Sequence, residues 1–322
     1  MTEPSAIGID IGGTKIAGAL VNRAGLTGPL LVVPTQGDAG GPSVLDRAVA
    51  LARSVADGEP AGIRPVAAGI AAGGWIDSVG RVVGATDLLP DWAGTDLRGS
   101  FAGYLDMPIV AINDVHAMGI AEARIGAGRG RRLCLAVAIG TGIGGAITLD
   151  GLLHRGAHGI AGALGHLPVG EGGPICSCGR YGCIEAYASG PAIARMYDAL
   201  MIQDGRSRSS SSASTLPDVV RAIESDVERV RAPAVVAVTD AGRLLGRVLG
   251  GFANAFDPEV VIVGGGAAAA LGERFFGAIR LGVTEVILSP AAALPIVPSH
   301  FGSSASVAGA GLLALEAAGF HH

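Results

Sequence analysis

The apolar positions of this chain fall into short runs divided by glycine. Residues 7–11 form one run, Gly12-Gly13 supply a turn, and residues 16–21 form the next; residues 22–28 then turn into a third run at 30–33. This spacing predicts a β-meander. Apolar residues recur at helical spacing over 43–55, strands are predicted at 66–70 and 109–111, and a helix is predicted after Asp114, carrying residues 117–124. The plan then restarts with a strand at 134–139, a glycine turn at 140–145, a strand at 146–149 and Asp150-Gly151 as a hairpin turn. Beyond it the pattern predicts helices over 216–231 and 235–255, a strand at 260–263 followed by a helix, a strand near 296–297, and a last helix from residue 305.

The restart is an internal repeat. DIGGTKIAGALVNRAG at 10–25 and AIGTGIGGAITLDG at 138–151 both read strand, Gly/Thr turn, strand, polar turn. One plan used twice predicts two related α/β domains facing each other across a cleft. Residues 203–215, with Ser209 to Ser212 unbroken, are low in complexity and read as a mobile surface loop.

Composition narrows the classes. A chain of 322 residues has room for two domains, each with its own core. Hydrophobic residues at 49% against 16% charged exclude a disordered chain, and 53 glycines without a three-residue period exclude collagen. A net charge of -5 argues against electrostatic binding of nucleic acid. Mean hydropathy is high at +0.49, yet the uncharged runs at 133–149 and 260–272 are too short or too interrupted for a membrane span. The first residues lack a basic segment of the secretory kind, so a cytoplasmic, reducing location is expected. There, four cysteines read as ligands or buried thiols, not disulfides.

Gly140, Gly142 and Gly145 spell G-x-G-x-x-G, but the run leads into a second strand, where a dinucleotide fingerprint would open a helix. Such a hairpin can still hold phosphate through its backbone N–H groups, with the Thr14 or Thr141 hydroxyl added; a plain glycine-rich hairpin is the alternative. Asp10, at a strand end beside the first glycine turn, can hold Mg²⁺ directly or through water. Lys15 is the only lysine among 23 basic residues and lies in that turn, where a compact ammonium can stabilise a transferring phosphoryl group.

Asn113-Asp114 stands where a strand gives way to a helix. Asp114 reads as a helix N-cap or, in a phosphotransferase, as the base for a substrate hydroxyl, with Asn113 orienting the substrate. His166, Cys176, Cys178 and Cys183 form H-x9-C-x-C-x4-C in a glycine-rich loop. One imidazole and three thiolates make a closed tetrahedral Zn²⁺ site that shapes the protein without activating water, and that fixes Glu185 two residues on. Cys134, in an apolar strand, reads as buried and inert. Gly264-Gly265-Gly266, between a strand and a helix, fits either close approach by a nucleotide or tight strand–helix packing. The run Arg129, Arg131, Arg132 reads as a solvated loop.

Taken in order, IGIDIGGTKIAGAL, INDVHA, AIGTGIGGAI, the His166 to Cys183 cluster continuing as GCIEAYASG, and VVIVGGG resemble the ROK family of bacterial sugar kinases and repressors, over residues 7–315. The resemblance implies the actin-like ATPase (ribonuclease H-like) fold, two α/β domains around a cleft that closes on a sugar and ATP-Mg²⁺, usually as a homodimer or homotetramer. The domains are expected at 1–114, closed by the C-terminal helix at 305–322, and at 115–304, with the zinc loop at 166–183. It implies Asp114 as base for the sugar 6-hydroxyl, with Gly74, Asn113, His166 and Glu185 at the sugar. Asp10, Gly12, Gly13, Thr14 and Lys15, with Gly140, Thr141 and Gly142, are implied for phosphates and Mg²⁺, and Gly265 and Gly266 for adenosine.

Two positions depart from the family pattern. Glucose kinases of the family read A-G-E-x-G-H, whereas residues 161–166 here place Ala163 where that Glu stands. The customary Asn before a Trp is replaced by Leu88, with Asp87 beside it. These departures point away from plain glucose and toward N-acetylmannosamine or kanosamine, whose ammonium Asp87 could pair with. The other function class is a ROK-type sugar-sensing transcriptional regulator lacking its DNA-binding domain; such regulators carry a helix-turn-helix before the core, where here six residues precede Ile7.

Overall fold

The first two predicted strands close a hairpin, in which β1 (Ala6–Ile11) and β2 (Lys15–Asn22) pair antiparallel with Ile11 opposite Ile16. The structure, a computed structural model, describes residues 3–58, 64–85, 91–203 and 213–321. The predicted loop at 203–215 and the positions of Asp87 and Leu88 therefore lie largely or wholly outside the described residues. β3 (Gly25–Leu26) and β4 (Leu31–Pro34) both pair with β2, so the third predicted run is an edge of the same sheet. α1 (Gly41–Asp57) follows, with Pro42 in its first turn.

β5 (Ala68–Ala72) lies parallel to β1, two residues later than the predicted 66–70, because the ladder begins at Ile7 opposite Ala68. A small hairpin, β6 (Trp75–Ile76) and β7 (Val82–Gly84), and a short helix α2 (Leu97–Ala102) come next; neither is long enough to leave a periodic signal. β8 (Ile109–Asn113) completes the first sheet in the order β3-β2-β1-β5-β8 and runs directly into α3 (Asp114–Ile125).

The second sheet repeats the scheme. β9 (Leu133–Ile139) and β10 (Ile143–Leu149) form its hairpin, the latter starting three residues before the predicted strand because Ile143 is already extended and buried. Asp150 and Gly151, at φ of 53° and 73°, make the two-residue turn into β11 (Leu152–Leu153), as the Asp-Gly pair requires. α4 (Glu185–Ala188), α5 (Gly190–Gln203), α6 (Leu216–Ile223) and α7 (Glu228–Phe256) follow. The pattern predicts the break between these last two helices at 232–234. The break lies instead at 224–227, where the Val227 N–H donates to Ser225 Oγ, and Pro233 sits in the second turn of a long helix held by its packing on α8. β12 (Val260–Gly264), α8 (Gly266–Thr284), β13 (Ile296–Pro298) and α9 (Ala305–Ala317) complete the chain, and the second sheet has the order β11-β10-β9-β12-β13. Among the described residues no helix is long and apolar enough to cross a membrane.

The first sheet is covered on both faces. Ile7, Ile9 and Ile11 of β1 pack with Val44, Ala48 and Leu51 of α1, while Ala17, Ala19 and Val21 of β2 pack with Ala117 and Ile120 of α3 and Val307 and Ala310 of α9. A Cβ on Gly69 would lie 1.9 Å from the Ala310 carbonyl oxygen, so glycine there lets α9 lie against the strand backbone.

Packing divides the chain into two compact units, Met1–Ala136 with Ala146–Gly162 and Ser299–His322, and Val137–Gly145 with Ala163–Pro298. The first unit thus runs past the boundary expected at residue 114. It keeps α3, which packs on α9, and the outer half of the β9–β10 hairpin.

Candidate functional site

In the first unit, polar chemistry gathers at the ends of β1 and β8. The Gly12 N–H donates to the Lys15 carbonyl at 3.0 Å and closes the hairpin tip, while the Thr35 hydroxyl donates to the Gly12 carbonyl at 2.6 Å and the Thr35 N–H to the Thr14 carbonyl at 3.0 Å. Gly13, Thr14 and Lys15 stand exposed at that tip. Asp10, one turn of the pleat before it, has its pKa pushed up to about 7 by burial and by the neighbouring Asp114 carboxylate, against the pull of the Lys15 ammonium. Two carboxylates and one ammonium therefore share one electrostatic neighbourhood, which suits a cation or a phosphoryl group.

The cap of α3 is Asn113, not Asp114. Asn113 Oδ1 accepts from the N–H groups of Val115 at 3.0 Å and His116 at 3.1 Å, and its Nδ2 donates to the Gly74 carbonyl at 3.0 Å. The expectation that Asp114 caps the helix is corrected: an Asn at the position before it has the extended backbone (φ -62°, ψ 142°) that a cap needs. Asp114 is consequently the first helical residue, its Oδ1 accepting from the Val115 N–H at 2.9 Å. Burial raises its pKa, against the help of the Val115 and Asp114 N–H groups and of the Asn113 side chain. Gly74 has φ +105°, and a Cβ there would meet the Gly84 oxygen at 2.7 Å; its neighbour Gly73 accepts from Trp92 Nε1 at 3.0 Å.

The second unit carries the thiol cluster. Ligand atoms of His166, Cys176, Cys178 and Cys183 lie within 4.8 Å of one another, with His166 Nδ1 3.6 Å from Cys176 Sγ and the Cys178 and Cys183 sulfurs 3.8 Å apart. A tetrahedral site with Zn–S near ~2.3 Å and Zn–N near ~2.0 Å has edges of about 3.5–3.8 Å, so the donor set fits a closed four-coordinate zinc. Burial pushes the Cys176 thiol up to about 12 and the Cys183 thiol upward. For Cys178 burial is outweighed by hydrogen bonds from the Arg180 backbone and the other two thiols and by the Arg180 charge, and its pKa falls. Three such thiols become thiolates together only beside a cation.

Glu185, at the start of α4, is buried and accepts from the Ile143 N–H at 2.9 Å and the Ser177 hydroxyl at 2.6 Å. Its carboxylate thus reaches the β9–β10 turn formed by Gly140, Thr141 and Gly142. The turn closes on itself through Gly140 N–H to Gly142 O at 2.9 Å, and the Gly190 N–H donates to the Gly140 carbonyl at 2.9 Å. The two readings of the Gly264-Gly265-Gly266 run divide between residues. Gly265, at φ +90°, would place a Cβ 2.3 Å from the Ile139 oxygen and is a packing glycine, whereas Gly266 faces open space.

The sequence-predicted residues therefore fall into two groups. Asp10, Gly12 to Lys15, Gly74, Asn113 and Asp114 gather in the first unit, and Gly140 to Gly142, the four metal-ligand candidates, Glu185, Gly265 and Gly266 in the second. Two further residues come to light only in three dimensions. Ser177 stands between Cys176 and Cys178 and donates its hydroxyl to Glu185, and buried His116, in the third position of α3, bonds through Nε2 to the Ala161 carbonyl at 3.2 Å. Burial, reinforced by the Arg155 charge, lowers the His116 pKa against the Ala161 bond.

A model of the ROK family matches residues 6–317. The chain is 32% identical to a glucokinase of Thermotoga maritima over 99% of this chain and 100% of that one, and 32% identical to a kanosamine kinase of Amycolatopsis mediterranei over 99% of each. It superposes on a ROK-family glucokinase from Streptomyces griseus, solved with glucose and AMPPNP, at a TM-score of 0.83 with 29% identity, covering 97% of this chain and 99% of that one. The fold is the actin-like ATPase fold in its two-domain form.

Proposed function

This chain belongs to the ROK family, and from that premise we propose that it is an ATP-dependent sugar kinase transferring the γ-phosphoryl group to the 6-hydroxyl of a hexose or amino-hexose. The observation that carries the reading is Asp114, a half-buried carboxylate released from capping by Asn113 and set beside Asp10. A pKa raised toward the working pH makes Asp114 a stronger base for a sugar hydroxyl than an ordinary surface carboxylate. In this reading the hydroxyl proton passes to an Asp114 carboxylate oxygen as the sugar oxygen attacks the γ-phosphorus and the bond to the ADP oxygen breaks. Asn113 orients the sugar with its second Nδ2 hydrogen, and Gly74, His166 and Glu185 contribute further sugar contacts. The N–H groups of residues 12–15 and 140–142 hold phosphate oxygens, Lys15 offsets charge on the transferring group, and Gly266 lies against the adenosine. Mg²⁺, held by Asp10 directly or through water, supplies charge neutralisation of the phosphates when bound. His166, Cys176, Cys178 and Cys183 hold a structural Zn²⁺ that orders their loop.

Ala163 removes a carboxylate that glucose kinases of the family use, and Leu88 with Asp87 replaces their Asn. These two departures favour an amino-hexose over glucose. A coupled ADP-release assay across glucose, N-acetylmannosamine and kanosamine tests both levels. Sugar-dependent ADP from the intact protein, lost roughly a hundred- to ten-thousandfold in Asp114→Ala, is the expected result. No sugar-dependent ADP with any hexose sinks the kinase reading, and an unchanged preference in Asp87→Asn sinks the amino-sugar assignment.

A further inference from the structure

Both oxygens of Glu185 are occupied, and they point to different parts of the second unit. Oε1 takes the Ser177 hydroxyl at 2.6 Å, from the loop between the first two cysteines, and Oε2 takes the N–H of Ile143 at 2.9 Å, the residue that follows Gly142. A Cβ on Gly142 would sit 2.6 Å from Oε2, so the turn is pressed onto this carboxylate. The other end of the turn is held by the same stretch of chain, through Gly190 N–H to Gly140 O.

We infer that Ser177 and Glu185 are positioning residues that connect the cysteine loop to the Gly140–Gly142 turn, so that an ordered, metal-loaded loop sets the conformation of a turn that meets the nucleotide phosphates. The inference rests on the kinase reading for the role of that turn. Ser177 is the critical member. Cys176 Sγ lies 3.4 Å from Glu185 Oε1, but a thiol is a weak donor, and the Ser177 hydroxyl reaches the same oxygen at 2.6 Å. The Ser177 hydroxyl is then the donor that keeps Oε1 in place, in a charge-assisted bond short enough to be strong. The residue between the two cysteines thus transmits the state of the metal loop to a strand outside it.

AMPPNP binding measured by calorimetry in the absence of sugar tests this, with bound zinc titrated in parallel by thiol displacement. Ser177→Ala with full zinc content is expected to bind AMPPNP roughly five- to tenfold more weakly, the loss of one charge-assisted hydrogen bond, and Ser177→Thr to restore affinity. Stripping zinc from the wild type is expected to weaken binding similarly, and Ser177→Ala to add nothing further in the stripped protein, because both act through one relay. Unchanged affinity in zinc-loaded Ser177→Ala overturns the inference, as does an equal loss with and without zinc. If Ser177→Ala fails to keep zinc, Glu185→Ala decides: with zinc retained, weaker AMPPNP binding upholds the relay and wild-type affinity overturns it. A wild type that binds AMPPNP but releases no ADP with any sugar overturns the kinase reading alone; one that binds no AMPPNP overturns both.

Discussion

Asp10 is costly to keep charged. Its ordinary pKa of 3.8 rises to about 7 in the folded chain through burial and the Asp114 carboxylate, so folding favours the protonated form. The sign follows: this contribution to stability is full below about pH 4 and is lost as pH rises through 7, with a ceiling of ~4 kcal/mol. Asp10→Asn, melted without nucleotide or divalent ions, should therefore be more stable than wild type at pH 8, and the gap should close toward pH 4. A gap independent of pH would contradict the assignment. Glycines allow an equally direct check. Gly265→Ala should lose about 2–4 kcal/mol in denaturant unfolding, from its left-handed backbone and its 2.3 Å approach to Ile139, while Gly266→Ala, with nothing within 4 Å, should unfold like wild type. At this scale the sequence was informative about residue type and less so about role. INDVHA marked the strand–helix junction, but which of two adjacent residues caps the helix depends on where the backbone leaves the β region, and that is decided by the register of β8 on β5.

Among the elements, α3 is the most heavily committed. Its first residue is Asp114, and its buried Glu122 accepts from Ser299 Oγ at 2.6 Å, Ala127 N–H at 2.9 Å, Phe301 N–H at 3.0 Å and His300 N–H at 3.1 Å. This carboxylate fastens the segment leading into α9. Glu122→Ala leaves those donors unpaired in the interior and should cost about 3 kcal/mol, read as a lower denaturant midpoint with an unchanged slope. Long elements were legible in the sequence, α1 with one apolar face and α9 apolar on nearly every side, as was the Asp-Gly hairpin turn, whose two residues both need positive φ. The β6–β7 hairpin and α2 were not, since two- to six-residue pieces are fixed by tertiary partners. Pro233 lies inside α7 because packing along α8 overrides a proline's tendency to end a helix.

At the scale of the whole molecule, the two compact units divide the chemistry as well as the core. The cysteine loop belongs to the second unit, so removing the zinc proposed there with a strong chelator should speed hydrogen exchange at 163–190 and in the Gly140–Gly142 turn while leaving α3 and α9 protected. Loss of protection spread evenly over both units would show that the metal loop is not a local organiser. The ordering of α9 against β1, β5 and α3 has a different consequence. The strands that begin the chain wait for a helix near its end, with Gly8 and Gly69 shaped to receive the α9 backbone. During synthesis the second unit can finish while the first is still open along one face of its sheet, the reverse of the order in which their residues leave the ribosome. A chain arrested or cut after Pro298 would therefore retain the second unit's core and expose the apolar face of the first, making its earliest-made part the one that aggregates.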